Sequence, residues 1–157
     1  MAKKVATTKN GKVSISQMRD LINKKAGTEV AFNLTQDNPT DVNEFIATGS
    51  RWLDSIICKG KLAGIPVGKI TEIAGLEASG KSYMAAQIAA NAQKQGLEVV
   101  YFDSESALDS SFLARAGCNV EEILYVQATS VEFVLETIEE LLGAGTGRIL
   151  FIWDSLA

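Results

Sequence analysis

The chain contains the stretch Gly75-Leu76-Glu77-Ala78-Ser79-Gly80-Lys81-Ser82, which matches the pattern G-x-x-x-x-G-K-[ST] at every defined position. In this pattern the glycines let backbone N–H groups wrap around phosphates. The lysine reaches the β- and γ-phosphates, and the hydroxyl of the last residue binds Mg²⁺. The stretch therefore predicts a site for a nucleoside triphosphate with its magnesium ion.

The residues on either side of this loop are typical of a strand–loop–helix unit. Lys69–Ala74 (KITEIA) is predicted to be a strand, and a helix is expected from about Gly80 to Gln95, ending at Gly96. The N-terminus of a helix carries a partial positive charge that favours an anion. Because the pattern follows a strand and opens a helix, phosphate binding is favoured over a plain glycine-rich turn.

Strands and helices alternate through the rest of the chain. Apolar strands are predicted at Val99–Phe102, Ile123–Val126 and Ile149–Trp153, and helices at 110–116 and from Thr129, capped with Glu132, to about 142. Strands that are apolar throughout and alternate with helices indicate a mostly parallel sheet covered by helices on both faces. The predicted fold class is α/β, of the P-loop NTPase kind.

The N-terminal part of the chain differs from this pattern. The sequence predicts three segments: a flexible basic tail (1–13), an arm with a linker (14–44) and the α/β core (45–157). In the arm, Ser14 and Gln17 form a capping box for a helix that ends at Gly27, and Thr28–Leu34 is predicted to be a short strand.

Charge is distributed unevenly along the chain. Residues 1–25 hold seven Lys/Arg and one acid, whereas the remainder holds eight basic and eighteen acidic residues, and the net charge is −4. A basic arm on an acidic body is suited to contact phosphates or an acidic neighbour. A solvated tail is the alternative, and composition favours it.

Composition also excludes several classes of protein. The chain has no histidine, which rules out His-based triads and His-ligated metals, and its two cysteines, Cys58 and Cys118, are far apart. They form neither a disulfide framework nor a C-x-x-C metal site, which is typical of a reducing cytoplasm. The apolar run Ile149–Trp153 is too short to span a bilayer, and no apolar segment of a signal peptide follows the basic N-terminus. We therefore expect a cytoplasmic protein without a membrane partner.

Acidic residues at two strand ends are candidates for the chemistry of the site. Asp154 ends an apolar strand, where a Walker B carboxylate reaches the magnesium shell. Asp103 and Glu105 follow the predicted strand 99–102, and ligands in such sheets bind outside the carboxyl ends of the strands. Either carboxylate can orient or deprotonate an attacking water, and spacing does not choose between them. Asp109 is a candidate N-cap of the next helix.

Several motifs outside the phosphate loop resemble the bacterial RecA recombinases in order and spacing. They are Ile46-Ala47-Thr48-Gly49-Ser50, Leu53-Asp54, Gly64-Ile65-Pro66-Val67-Gly68-Lys69-Ile70 and Glu105-Ser106-Ala107-Leu108-Asp109. The resemblance covers about residues 41 to 157. It implies the RecA type of P-loop core, with ATP and Mg²⁺ as its ligands.

This resemblance also implies roles for individual residues. Glu105 corresponds to the catalytic glutamate of the family, acting with Lys81 of the loop, and Asp154 corresponds to the Walker B aspartate that holds magnesium through water. The adenine contacts of the family fall on Asp109 and on Phe112, an aromatic ring for stacking at a position where the family commonly has tyrosine.

The function implied is that of an ATP-dependent DNA recombinase. Such a protein forms a helical filament on single-stranded DNA and pairs it with homologous duplex DNA in recombination and repair. Residues 14–34 resemble the arm that docks on the neighbouring subunit, and a bacterial or phage-infected cytoplasm is the expected location. The alternatives are another RecA-fold motor, such as a hexameric helicase, and a nucleotide-binding assembly partner that does not hydrolyse ATP.

Some residues depart from the family pattern. The loop reads Gly-Leu-Glu-Ala-Ser-Gly-Lys-Ser where the family usually has Gly-Pro-Glu-Ser-Ser-Gly-Lys-Thr, and Trp153 before Asp154 is unusual. These departures indicate a viral or otherwise divergent member.

The DNA-binding loops of the family lie beyond the Walker B strand, so we expect residues 45–157 to be the first half of a core from a longer protein. The family strand that lies between those at 69–74 and 149–153 is missing from that half. Residues 1–157 alone are therefore expected to be poorly stable and to hydrolyse no ATP.

Overall fold

The structure, a computed structural model, describes residues 13–35, 40–145 and 147–155. The chain divides into two units, residues 1–41 and 42–157. In chain order the elements are α1 (Ile15–Ala26), β1 (Phe45–Ile46), α2 (Arg51–Ile57), β2 (Ile65–Pro66), α3 (Lys81–Lys94), β3 (Glu98–Asp103), α4 (Ser110–Ala116), a 3₁₀ turn (Val120–Glu122), β4 (Ile123–Gln127), α5 (Val131–Gly143) and β5 (Ile149–Asp154). Among the described residues, no helix has the length and apolar character needed to cross a membrane.

In the first unit, α1 begins and ends as predicted. The Ser14 side chain accepts a hydrogen bond from the Gln17 N–H (3.2 Å), and the Gln17 side chain accepts one from the Ser14 N–H (3.0 Å), so the capping box is formed. At the other end Gly27 adopts the left-handed conformation, with φ of 74°, that terminates many helices. Residues 1–12 of the predicted tail (1–13) lie outside the described residues.

The predicted strand at 28–34 is wrong, because the structure has no strand there. The Asn23 side chain takes the place of a partner strand. Its oxygen accepts hydrogen bonds from the N–H groups of Val30 (3.0 Å) and Ala31 (2.7 Å), and its amide donates to the Ala31 carbonyl (3.0 Å). This local bonding satisfies the backbone without a ladder.

In the second unit, the predicted parallel sheet is confirmed. Its strands lie in the order β4-β3-β5, and both pairings are parallel. The register places Asp103, the last residue of β3, opposite Gln127 on one side and Asp154 on the other. The carboxyl ends of all three strands therefore meet in one row, which is where ligands bind in sheets of this type.

The central strand β3 is buried on both faces. Val99 and Tyr101 pack into a cluster with the alanine-rich face of α3, while Val100 and Phe102 pack on the opposite face against Val134 of α5. A strand enclosed on both sides must be apolar throughout, which explains its sequence. Coverage is incomplete at β4, where the side chains of Leu124 and Tyr125 are exposed.

Two predicted elements of the core need correction. Helix α5 is capped by Ser130, whose side chain accepts from the Phe133 N–H (3.1 Å), and not by Thr129 paired with Glu132. The predicted strand at 69–74 is also absent: none of the described strands pairs with it, and the Ile70 side chain is fully exposed. An extended segment becomes a strand only when a neighbour satisfies its N–H and C=O groups.

A two-stranded antiparallel sheet and a helix before the phosphate loop were not predicted. Strand β1 pairs with β2, and α2 lies between them in the chain. Gly64 makes this pairing sterically feasible, because a Cβ atom there would come within 2.1 Å of the Ile46 carbonyl oxygen. The Asn91 side chain of α3 donates to the Ala47 carbonyl (2.9 Å), which ties this small sheet to the helix that follows the loop.

The threonine and aspartate of the motifs at 46–54 form a buried polar pair. Asp54 is 5% exposed, and its Oδ1 accepts hydrogen bonds from the Thr48 N–H (2.9 Å) and the Thr48 hydroxyl (2.7 Å). These bonds connect the end of β1 to α2. The pair is thus structural in this chain.

We expect Thr48→Val to lower the free energy of unfolding by about 1–3 kcal/mol, because it leaves a buried carboxylate oxygen with one bond fewer. Urea unfolding of the two proteins measures the difference. Thr129→Val, at an exposed position, is the matched control and should change stability little. Equal losses in the two variants would show that the buried pair is not the cause.

Candidate nucleotide site

The phosphate loop folds into a tight turn with two residues in the left-handed conformation. Ala78 has φ of 57° and Gly80 has φ of 93°. A Cβ atom at Gly75 would lie 2.8 Å from the Ser79 hydroxyl oxygen, so a larger residue there would require the Ser79 side chain to move. The loop is exposed throughout residues 74–80, and Leu76 is 85% exposed. Glu77 shares this exposure and faces no charged partner that the structure records.

The loop leads directly into the N-terminus of α3. Gly80 occupies the capping position and offers no side chain to the first N–H groups of the helix. Those groups have no acceptor within the helix, and together with the helix dipole they attract an anion. Lys81 and Ser82 form the first turn of α3. The residues present therefore fit a bound phosphate chain.

Lys81 lies over the loop that precedes it. Its Nζ donates hydrogen bonds to the carbonyl oxygens of Gly75 (3.1 Å) and Leu76 (3.0 Å). Both acceptors are neutral carbonyl oxygens, which bind an ammonium group more weakly than a charged phosphate does. In the described part of the chain, neither Lys81 nor Ser82 has a hydrogen bond to Glu105 or Asp154.

Contacts between α3 and α4 place the first turn of α3 near the carboxyl ends of the strands. The rings of Tyr83 and Phe112 meet edge to face, with centroids 6.0 Å apart. Phe112 belongs to α4, which starts just after the loop that follows β3.

Asp109 caps α4. Its carboxylate accepts hydrogen bonds from the Ser111 N–H (2.9 Å) and the Ser111 hydroxyl (2.6 Å), and these bonds lower the pKa of Asp109. The predicted N-cap is confirmed.

Asp103 is enclosed by the loop that it precedes. The residue is 3% exposed, and its carboxylate accepts hydrogen bonds from the N–H groups of Glu105 and Leu108, both at 3.0 Å, and from the Tyr125 hydroxyl at 3.2 Å. Burial by itself would raise the pKa of Asp103, but these donors lower it below its usual value. Both oxygens are occupied, so this carboxylate holds the loop 104–108 in place.

The lowered pKa predicts a dependence of stability on pH. A carboxyl group whose folded pKa lies below its unfolded value, about 3.9, contributes stability above that value and loses it as the pH falls through the folded pKa. We expect Asp103→Asn to be less stable than the parent at pH 7, and the difference in their free energies of unfolding to narrow as the pH falls below about 4. Urea unfolding at a series of pH values measures it. A difference in the free energy of unfolding that stays constant as the pH falls would contradict the expectation.

Glu105 and Asp154 lie at the same edge but remain more accessible. The Glu105 side chain is exposed, and its Oε1 accepts a hydrogen bond from the Ser155 hydroxyl (2.7 Å). The half-buried Asp154 accepts one from the Tyr101 hydroxyl (2.9 Å). Burial is the largest cause that raises the pKa of Tyr101, and the hydrogen bond to Asp154 is the next. The phenol therefore stays protonated and donates to Asp154 at neutral pH.

A magnesium ion at this site needs ligands beyond the protein. Among the described residues, no group of three or more acidic or cysteine side chains is positioned to hold a metal. Mg²⁺ commonly binds through one or two protein groups together with substrate phosphates and water. Ser82 and Asp154 supply a hydroxyl and a carboxylate, which are the types of ligand that this mode uses.

Contacts of four further residues at this edge were missed from the sequence. Trp153 donates from its indole Nε1 to the Ser104 hydroxyl oxygen (2.9 Å), and the Gln127 amide donates to the Ser106 hydroxyl oxygen (2.5 Å). The signal that was present is the pair of serines on either side of Glu105. The two donors come from other strands, which sequence spacing does not reveal.

Comparison with known proteins identifies the family. The model of the RecA N-terminal domain matches residues 13–157. Curated relatives named Protein RecA include one from Ectopseudomonas oleovorans, 36% identical over 87% of this chain and 38% of the relative, and one from Aquifex aeolicus, 41% identical over 73% of this chain and 32% of the relative. A third, from Colwellia psychrerythraea, is 36% identical over 77% of this chain and 34% of the relative. The chain thus spans about a third of the length of these relatives.

Proposed function

The chain belongs to the RecA family, and we propose that it carries the ATP site of a DNA recombinase. In this proposal the protein binds and hydrolyses ATP at residues 75–82, assembles into a filament on single-stranded DNA and pairs that strand with homologous duplex DNA. The relatives' name supports the proposal. A cytoplasmic location follows from the same proposal.

The observation that carries the proposed ATP hydrolysis is a difference in exposure and hydrogen bonding between two neighbouring carboxylates. Asp103 is enclosed and saturated with donors, whereas Glu105 is exposed at the carboxyl edge of the sheet with one oxygen held by Ser155. A general base must be accessible to the water that it activates. We therefore assign the activation of water to Glu105, and to Asp103 the support of its loop.

Other residues bind and orient the nucleotide in this proposal. Lys81 moves from the carbonyls of its own loop to the phosphates, which are stronger, charged acceptors. The N–H groups of residues 75–82 surround the phosphates. Ser82 would hold Mg²⁺ directly and Asp154 would hold it through water, and the ion would supply positive charge to the phosphates.

The adenine is assigned to the start of α4. Phe112 is half-buried against Tyr83, so its ring is fixed, and a fixed aromatic face is suited to stack on a base. Asp109 lies three residues before it at the N-cap. Its carboxylate is exposed and lies at the same end of the helix, where it can accept a hydrogen bond from an exocyclic amine.

Electron microscopy tests the assembly. We expect the protein, expressed as its gene encodes it, to form helical filaments on single-stranded DNA with ATP and Mg²⁺. In the proposal residues 14–34 contact the neighbouring subunit, because the α1 residues Ile15 (86% exposed) and Leu21 (59% exposed) lack cover in their own unit. Closed rings in place of filaments would favour the helicase alternative.

A further inference from the structure

The loop that carries Glu105 is held on both sides by side chains from other strands. On the N-terminal side of Glu105, the Ser104 hydroxyl accepts a hydrogen bond from Trp153 Nε1 of β5 at 2.9 Å. After it, the Ser106 hydroxyl accepts one from Gln127 Nε2 of β4 at 2.5 Å. Both donors are at the carboxyl ends of strands that flank β3. Glu105 is therefore the middle residue of three, and the outer two are tied to separate strands.

These bonds are not needed to satisfy the backbone of the loop. The Ser104 N–H already donates to the Asp154 carbonyl (2.9 Å), and Asp103 accepts the N–H groups of Glu105 and Leu108. The serine side chains at 104 and 106 are exposed and would otherwise bond to water. The two tethers thus add restraint to a loop whose main chain is already bonded.

The conformation of Ser106 makes such restraint useful. Its φ of 55° lies in the left-handed region, which costs a residue other than glycine free energy and persists only when its surroundings enforce it. The Gln127 amide bonds directly to this residue. On the other side, Trp153 packs with the cluster around Val100, Phe102 and Val134, so its indole is a fixed donor.

We propose that Trp153 and Gln127 are positioning residues for Glu105, which they fix by holding Ser104 and Ser106. The inference rests on the proposed role of Glu105 in ATP hydrolysis. A carboxylate on an exposed loop samples many orientations, and a small displacement of a catalytic group from its productive geometry lowers the rate of the chemical step strongly. The two tethers restrict that motion through the serines on either side of Glu105.

Kinetics of the protein as its gene encodes it, with single-stranded DNA present, test the proposal. Trp153→Phe keeps an aromatic ring but removes the donor, and Ser104→Ala removes the acceptor with a minimal change at an exposed position. For each we expect kcat for ATP turnover to fall about threefold to tenfold, the scale of one hydrogen bond, with KM for ATP unchanged. The double variant should be no slower than either single variant, because both remove the same bond. Gln127→Leu and Ser106→Ala should behave as a second such pair.

The other tryptophan of the chain provides the control. Trp52 is 82% exposed on α2, outside the site, and Trp52→Phe should leave kcat and KM unchanged. Unchanged kcat in Ser104→Ala, or additive losses in the double variant, would overturn the proposal. A Glu105→Gln variant that turns over ATP normally would instead overturn the role of Glu105 itself, so the two failures are distinguishable.

Discussion

The variant Glu105→Gln should bind ATP as the parent does and hydrolyse it more slowly by a factor of about a hundred or more. Replacing the carboxylate by an amide keeps the size and the hydrogen bond from Ser155 but removes the base, and loss of a general base typically costs about 10²–10⁴ in rate. Steady-state ATP turnover with single-stranded DNA measures kcat. A nucleotide-binding titration confirms that affinity is retained.

Two comparisons make this result specific. Glu139→Gln, on the exposed face of α5, should turn over ATP at the parental rate. Asp103→Asn should lose stability, because its carboxylate accepts three hydrogen bonds inside the loop. If folded Asp103→Asn loses turnover at a temperature well below its unfolding while Glu105→Gln keeps it, the roles of the two residues are reversed.

The variant Lys81→Ala should lose ATP turnover almost entirely and bind ATP much more weakly. Its ammonium group is the positive charge at the loop, and charge-assisted bonds to phosphate are about twice as strong as neutral ones. Transition-state charge on the transferred group would lose its nearest side-chain cation as well. ATP binding by titration and turnover with DNA measure both effects.

Lys94→Ala is the matched control, because Lys94 lies at the opposite end of the same helix. It should bind and hydrolyse ATP normally. Parental turnover in Lys81→Ala would contradict the assignment of residues 75–82 as the ATP site, regardless of the results for the other variants.

Local patterns in the sequence were sufficient for part of this structure. The starts of the helices that Ser14 and Asp109 cap were predicted because a cap is a short-range contact between neighbours in the chain. The strand predicted at 99–102 lies within β3, and it was predictable because burial on both faces leaves a continuous apolar run. Each of these features is determined within a few residues.

Features that depend on distant neighbours were not predictable in the same way. Residues 69–74 have the composition of a strand, but pairing depends on whether another strand lies beside them. The pattern Thr129-x-x-Glu132 suggested a cap one residue too early, because the hydroxyl of Ser130 is the one that accepts from the N–H of Phe133, the third residue of α5. Thr129 and Ser130 both carry a hydroxyl, so the local sequence is compatible with either residue as the cap.

The choice between the two carboxylates shows the same limit. Asp103 and Glu105 are separated by one residue, and their spacing from the phosphate loop does not discriminate between them. What separates them is enclosure, partly by Tyr125 from the neighbouring strand. The resemblance to the RecA family pointed to Glu105, and the geometry supports that choice on independent grounds.

Pairing of DNA in the presence of ATP tests the proposed function as a whole. The protein, expressed as its gene encodes it, is mixed with circular single-stranded DNA, linear duplex DNA, ATP and Mg²⁺, and joint molecules are counted on a gel. We predict joint molecules with homologous duplex, none with unrelated duplex and none with Lys81→Ala. Unwinding of duplex DNA regardless of homology, or no ATP turnover with any DNA, would contradict the assignment of this chain to a recombinase.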